Sequence, residues 1–350
     1  MIGGNFALDI TVFFRKQAQL NIKPDSIFWL QSGRSAFTLL IKLLNLTKND
    51  EVLLPAYHCE EVAKPFLLRG IKTIFYPINK NLQFDLNTLK STVTSKTKLI
   101  IYIPYLGWPQ KEAKSLHAWC KQKQIHLVAD NVPLTPEKIR IVKTLFQIYS
   151  FRKSTGVPSG AILILPENKL KTDFPTVELR PTKKIMESLK LAALFFKLIK
   201  LSSISYKLHR VAEDLLDDTP RKISLLAKKM MLYTNWQELA DKRRYNAQYL
   251  LEKLKQIKNI KPLIDEVPAQ SVPLFLPITT KRTKKLKQYL LKQGVFTKVD
   301  WKWPKYMIKT KFPEVWWLTH KTAYLTIDQR YGEKELDYQI KKIKEFINKS

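Results

Sequence analysis

Three short stretches carry residue types suited to holding an anion, a proton and a carbonyl compound. Ser32-Gly33-Arg34-Ser35 lies between an apolar run (SIFWLQ, 26–31) and an amphipathic segment (AFTLLIKLLNL). A strand, a glycine and a helix N-terminus bring free backbone N–H groups and the positive end of a helix dipole together, which suits a phosphate. Ser35 adds a hydroxyl and Arg34 a cation; the same pattern also serves as an ordinary helix cap. Asp130 follows directly on IHLVA, at a strand's carboxyl end, where α/β sheets place ligands and where aspartates also close turns. In Tyr149-Ser150-Phe151-Arg152-Lys153 a lysine stands three residues beyond a serine, just past a strand. Such a lysine can condense with a carbonyl group beside an anion-binding hydroxyl, although most lysines face solvent. Arg330, in Asp328-Gln329-Arg330-Tyr331, can hold a substrate carboxylate or phosphate, or pair with Asp328 or Glu333. No residue spacing suggests a metal site.

The elements that position these residues follow from apolar periodicity. Strands are predicted at 26–31, 51–54, 71–76, 98–103, 125–129, 144–149 and 161–165, with helices after Gly33, at 59–69 and at 110–123. Near-continuous apolar strands separated by helices predict an α/β fold, with a parallel or mixed sheet covered on both faces. The second half reads differently: long helices at 184–211 and 223–258, strands at 272–278 and 295–300, helices at 282–293 and 333–348. This predicts a large domain over 1–205, a helical insertion at about 184–211, a helical connection over 206–234, and a smaller α+β domain over 235–350.

The chain has 350 residues, of which 61 are lysine or arginine and 30 aspartate or glutamate, for a net charge of +31. The excess is spread along the chain and is mostly lysine, which reads as a solvated basic surface rather than a confined nucleic-acid arm. No RNA-recognition motif is present, so a specific nucleic-acid partner is not expected. Two cysteines, Cys59 and Cys120, make no disulfide framework and fit a reducing cytoplasm. The N-terminal sequence does not read as a signal peptide. The tryptophans Trp301, Trp303, Trp316 and Trp317 read as packing residues or, as the sharper alternative, as a wall on which a substrate stacks.

An anion loop, a strand-end aspartate and a post-strand lysine, in that order, resemble the fold-type I pyridoxal-phosphate enzymes, and most closely the DegT/StrS-type sugar aminotransferases. SGRSAFTLLIKLLNLTKNDEVLLPAYHCEEVAKPFLLRGIKTIFYPI, IYIPYLGWPQ, HLVADN, YSFRKSTGVPSGAILIL, RRYNAQYLLEKL and LTIDQRYGEKELDYQIKKIKEF are similar to successive segments of that family. The resemblance covers about 28–166 and 235–348. It implies an aspartate-aminotransferase-like large domain binding pyridoxal 5′-phosphate. Lys153 would carry the cofactor and act as the base, Asp130 would pair with the pyridinium nitrogen, and Gly33, Arg34, Ser35 and Ser150 would hold the phosphate. His58 would cover the ring face. The family also implies a homodimer, an amino-acid donor, and a keto sugar, nucleotide-linked, destined for cell-surface polysaccharide. The chain departs from the family pattern at Arg34, at Asn131-Val132-Pro133, and in a short lysine loop ending Val157-Pro158-Ser159-Gly160.

Residues 186–208 lie outside the resemblance. Read as one helix, they place Lys190, Lys197, Lys200 and Lys207 within about 100° of arc, beside a largely apolar remainder. This resembles a basic amphipathic helix lying on an anionic membrane surface, or a packed helix with its lysines in water. It keeps a second expectation open: a non-catalytic relative that binds or scaffolds at the membrane surface.

Overall fold

The computed structural model describes residues 2–15, 24–132, 145–269, 271–297, 301 and 303–348. Seven strands form the main sheet: β1 (Ile27–Leu30), β2 (Glu51–Pro55), β3 (Lys72–Tyr76), β4 (Thr97–Tyr102), β5 (His126–Asp130), β6 (Leu145–Ser150) and β7 (Ala161–Ile164). Their order is β1-β7-β6-β5-β4-β2-β3. Neighbours from β6 to β3 pair in parallel, while β7 runs antiparallel to both β6 and β1. Two reversals leave β1 parallel to β6. The carboxyl ends of β1, β5 and β6 therefore share one edge of the sheet.

Alternation of side chains across the sheet explains its two-sided burial. Val52 and Leu54 pack on one face with Phe37, Leu40, Val62 and Phe66 of α1 (Gly33–Leu43) and α2 (Glu60–Leu67). Leu53 packs on the other, with α3 (Leu86–Ser91) and α4 (Ala113–Lys123). That second core is continuous with the C-terminal part of the chain through Leu250, Leu254, Leu276 and Ile343. The expected mostly parallel, mixed sheet between helices, with a smaller α+β unit, is the observed architecture.

The later elements are α5 (Lys184–Leu198), α6 (Ser202–Asp214), α7 (Leu225–Leu232), α8 (Trp236–Lys255), β8 (Lys261–Pro262), β9 (Phe275–Thr279), α9 (Thr283–Lys292), α10 (Pro313–Lys321), β10 (Thr322–Thr326) and α11 (Glu333–Asn348). The small sheet is antiparallel, in the order β10-β9-β8.

Two expected long helices are each broken. The helix expected over 184–211 is a hairpin of α5 and α6. Lys200 takes the left-handed conformation (φ 64°), Lys200 N–H bonds Lys197 O and Leu201 N–H bonds Phe196 O at 2.8 Å. This terminates α5 with the bonding that usually recruits glycine. The basic arc expected across 186–208 is therefore not formed: the break separates Lys207 from the others, and Lys190 is buried. The helix expected over 223–258 is interrupted before α8, where the Asn235 side chain caps Glu238 N–H at 3.2 Å. The strand expected over 295–300 reduces to a bridge between Val295 and Ile2; residues 298–300 lie outside the described residues.

Candidate active site

The junction after β1 and the ends of β5 and β6 build the site. Leu30 is in register with Ala161, and Ala161 with Ser150. The start of α1 thus sits two strand spacings, about 10 Å, from the end of β6. Ser32 caps α1, its hydroxyl accepting from Ser35 N–H at 3.1 Å. The hydroxyl of Ser35 donates to Thr219 O at 3.1 Å. The Arg34 guanidinium pairs with Glu61 and donates to Leu216 O at 2.7 Å, with Asp218 at 3.7 Å. Side chains expected to face a phosphate are thus engaged by residues 216–219, which continue from the insertion. Arg34 Nε remains buried without a hydrogen-bond partner. A Cβ on Gly33 would meet Val132 only at an ordinary 3.5 Å, so the glycine is not demanded by that contact.

Asp130 ends β5 and is buried, with Oδ1 accepting from Val132 N–H at 3.1 Å. Burial pushes its carboxyl up to about 7, against the opposing pull of that N–H and of the Lys153 charge. Ser150, buried at the end of β6, and Lys153, in the single turn Phe151–Lys153, complete the group. Ser32, Gly33, Arg34, Asp130, Ser150 and Lys153 together line one inner cavity of about 260 Å3, closed further by Cys59 and Trp301.

Lys153, Arg152 and Glu213 also line a second, outer cavity of about 310 Å3. It is bounded by residues 3–6 and by the insertion. Glu213 on α6 accepts from Arg152 at 2.5 Å and from Lys190 of α5, with His209 Nε2 at 3.7 Å. Burial alone would raise the Glu213 carboxyl, but Arg152 and Lys190 hold it far below the usual carboxylate range. Burial pulls Lys190 down to about 8, and burial with the Lys190 charge brings His209 to about 4. Arg243 of α8 is 1% exposed. It donates to Gln329 Oε1 at 3.0 Å and Leu274 O at 3.2 Å, so its near partners are neutral, and burial lowers it to about 10. Among the described residues lining this cavity, Arg152, Lys153, Lys190, Arg243 and Arg330 meet only Glu213 and Asp328 as acids. Its wall carries excess positive charge.

Two expected residues sit differently. His58 does not line either cavity. It is 1% exposed, stacked on Phe75 with centroids 5.2 Å apart. Its Nδ1 lies 2.9 Å from Pro55 O and its Nε2 2.9 Å from the Tyr306 hydroxyl. Burial lowers it to about 4, so it is a neutral core residue, which corrects its expected place over a cofactor ring. Cys59 and Trp301 border the inner cavity on this side. Arg330 is held in a fork by Asp328 (2.8 and 2.7 Å) and donates to Gly4 O and Asn5 O at 3.0 Å each. Most of its donors are occupied, though it borders the outer cavity.

None of Arg152, Lys190, His209, Glu213 and Arg243 was expected from sequence to line the cavities. Arg243 had a signal: Leu239, Ala247, Leu250 and Leu254 share its helical face. Lys190 and Glu213 had none, because their meeting depends on the turn at Lys200.

Residues 23–132 match the family model for the DegT/DnrJ/EryC1/StrS aminotransferases. A dTDP-4-dehydro-2,3,6-trideoxy-D-glucose 4-aminotransferase from Saccharopolyspora spinosa is 26% identical over 113 residues, 32% of this chain and 29% of the relative. A GDP-4-keto-6-deoxy-D-mannose 3-dehydratase from Yersinia pseudotuberculosis is 33% identical over 109 residues, 29% of this chain and 28% of the relative. The chain thus matches less than a third of the length of either. Among solved structures, an aminotransferase from Streptoalloteichus hindustanus superimposes with a TM-score of 0.73 over 99% of both chains at 13% identity. A DegT/DnrJ/EryC1/StrS aminotransferase from Brucella abortus does so at 0.65, over 91% of this chain and 85% of that one, at 15% identity. The fold is common to these two solved structures, and residues 23–132, about a third of the chain, are similar to the DegT/DnrJ/EryC1/StrS aminotransferase family.

Proposed function

We propose that the protein is a pyridoxal-phosphate-dependent aminotransferase that moves an amino group from an amino-acid donor to a nucleotide-linked keto sugar, acting as a cytoplasmic homodimer in cell-surface polysaccharide synthesis. The observation that carries the reading is the convergence of Asp130, Ser150, Lys153 and the α1 N-terminus on one cavity. The residues present fit the cofactor. A buried carboxyl held up near 7 would regain its charge beside a pyridinium N–H. The N-terminus of α1, Ser150 and the buried Nε of Arg152, which has no hydrogen-bond partner, suit a phosphate group.

Bound pyridoxal phosphate supplies an electron sink for the bonds broken at the substrate carbon. Asp130 would hold the proton on the ring nitrogen. Lys153, at the junction of the two cavities, would carry the cofactor and then move a proton at the reacting carbon through Nζ. The outer cavity, with Arg152, Lys190 and Arg243 in its wall, would take the phosphate part of a nucleotide-linked substrate, whose reacting end then reaches Lys153.

Purified protein with pyridoxal phosphate is expected to show a visible absorbance band that borohydride abolishes, leaving a stable adduct on Lys153. Amino acids should then bleach the band in the donor half-reaction. Product analysis separates amino transfer from loss of water, the chemistry named for the Yersinia relative. A Lys153→Ala protein with undiminished transaminase activity would overturn the reading.

A further inference from the structure

The hairpin of α5 and α6 buries charge at its base and exposes apolar side chains at its tip. Phe195, Leu198, Ile199, Leu201 and Ile204, all within ten residues of the turn, are between 39% and 48% exposed. Beside them stand Lys197, Lys200, Lys207 and Arg210, and the sequence holds no aspartate or glutamate between Glu187 and Glu213. The inward stripe, Met186, Lys190, Ala193 and Leu194 on α5 with Ser205 and Ala212 on α6, is already packed. The exposed residues therefore face away from the protein's own core.

Five large apolar groups left in water at one tip are unfavourable by about 25 cal/mol per Å2 of apolar surface. Five partly exposed large apolar side chains clustered within ten residues of sequence mark an interaction surface. The charge around it selects the partner. A second copy docked tip to tip would bring two sets of four cations together with no nearby carboxylate, which is repulsive. A nucleic acid would satisfy the cations and leave the apolar side chains unburied. An anionic bilayer satisfies both, with apolar side chains at the acyl boundary and ammonium groups among the headgroups.

We propose that the α5–α6 tip, residues 195–210, docks the protein onto an anionic lipid surface. This does not rest on the catalytic reading. Among the described residues no helix is long and apolar enough to cross a membrane, so the contact is peripheral.

Flotation with vesicles tests it. The full chain should float with equimolar phosphatidylcholine and phosphatidylglycerol, stay behind with pure phosphatidylcholine, and be released by high salt. At about 1 kcal/mol per cation, each neutralised lysine should weaken binding roughly fivefold. The combined Lys197→Gln, Lys200→Gln, Lys207→Gln protein should lose about a hundredfold. Leu198→Ser with Ile199→Ser should also abolish flotation, with circular dichroism and sedimentation unchanged. Absence of flotation with the anionic vesicles overturns the proposal, as does equal binding to both vesicle types or by the variants. A fall from dimer to monomer in Leu198→Ser/Ile199→Ser would instead assign the tip to a second copy.

Discussion

The β2–β5 half of the large sheet and the α5–α6 insertion obey opposite burial rules. In the sheet, Leu53, Leu54, Ile100 and Val128 are each 0% exposed, and the buried polar residues Glu51, Thr97 and Asp130 stand only at strand ends. In the insertion, Lys190 is 2% exposed while Phe195 is 48% exposed. The sheet is held by apolar area, whose contribution is additive and indifferent to partners. The insertion is held at its base by Glu213 bridging Arg152 and Lys190, an arrangement that gives little net stability but fixes geometry. The contrast teaches that the first region is a scaffold and the second an addition that lines the outer cavity and presents a surface.

Substitutions can break or sharpen that contrast. The largest effect is expected at the join of the two regions: Lys153→Ala should lower turnover by two to four orders of magnitude, with little change in melting. Within the sheet, Leu53→Ala should destabilise by about 2–5 kcal/mol in denaturant unfolding. Glu213→Gln leaves Lys190 buried without its counter-charge. Such a loss costs about 3–5 kcal/mol in a dry interior, and about half that here because Glu213 is partly open to water. It should also disturb the outer cavity. Lys190→Met should therefore raise KM for a nucleotide-linked substrate more than it changes kcat; an unchanged KM would confine the insertion to a structural role.

Asp130 gives a pH-dependent test. Its folded-state carboxyl titrates near 7 against an ordinary value of 3.8. The native state thus binds the proton more tightly than the unfolded chain. Asp130 contributes its stability below about pH 4 and loses it as pH rises through 7. Cofactor-free protein should melt lower across that interval, and Asp130→Asn should flatten the trend. Carboxylates held low, such as Glu213, act in the opposite sense, so the difference between the two proteins isolates Asp130. The smallest effect is expected at the tip, where Ile199→Ser should stay within about 0.5 kcal/mol of the parent.

Much of the scaffold was legible because its signals are local. Apolar runs such as EVLL and AILIL coincide with strands that are buried on both faces. Asp130 could be picked out because it directly follows such a run, and Lys153 because it stands a few residues past one, after Ser150. The helix breaks at Lys200 and Asn235 were not legible, since a lysine in left-handed conformation and one asparagine among helix formers leave no strong local mark. His58 misled for a related reason. Its chemistry suits a site, but the stack with Phe75 and the bond to Tyr306, 248 residues away in sequence, depend on tertiary packing.

The sequence by itself determined the alternating strands and helices, the order of anion loop, aspartate and lysine, and the charge of +31, because each depends on residue type and short spacing. Tertiary structure alone decided that β1 runs parallel to β6 and so brings Ser32 to the edge where Asp130 and Ser150 end. It also decided that the Arg34 side chain is bound by residues 216–218, and that part of the charge lies inside. Arg243 and Lys190 are buried because helices distant in sequence close over them, and no local pattern encodes which face of a helix another element will cover.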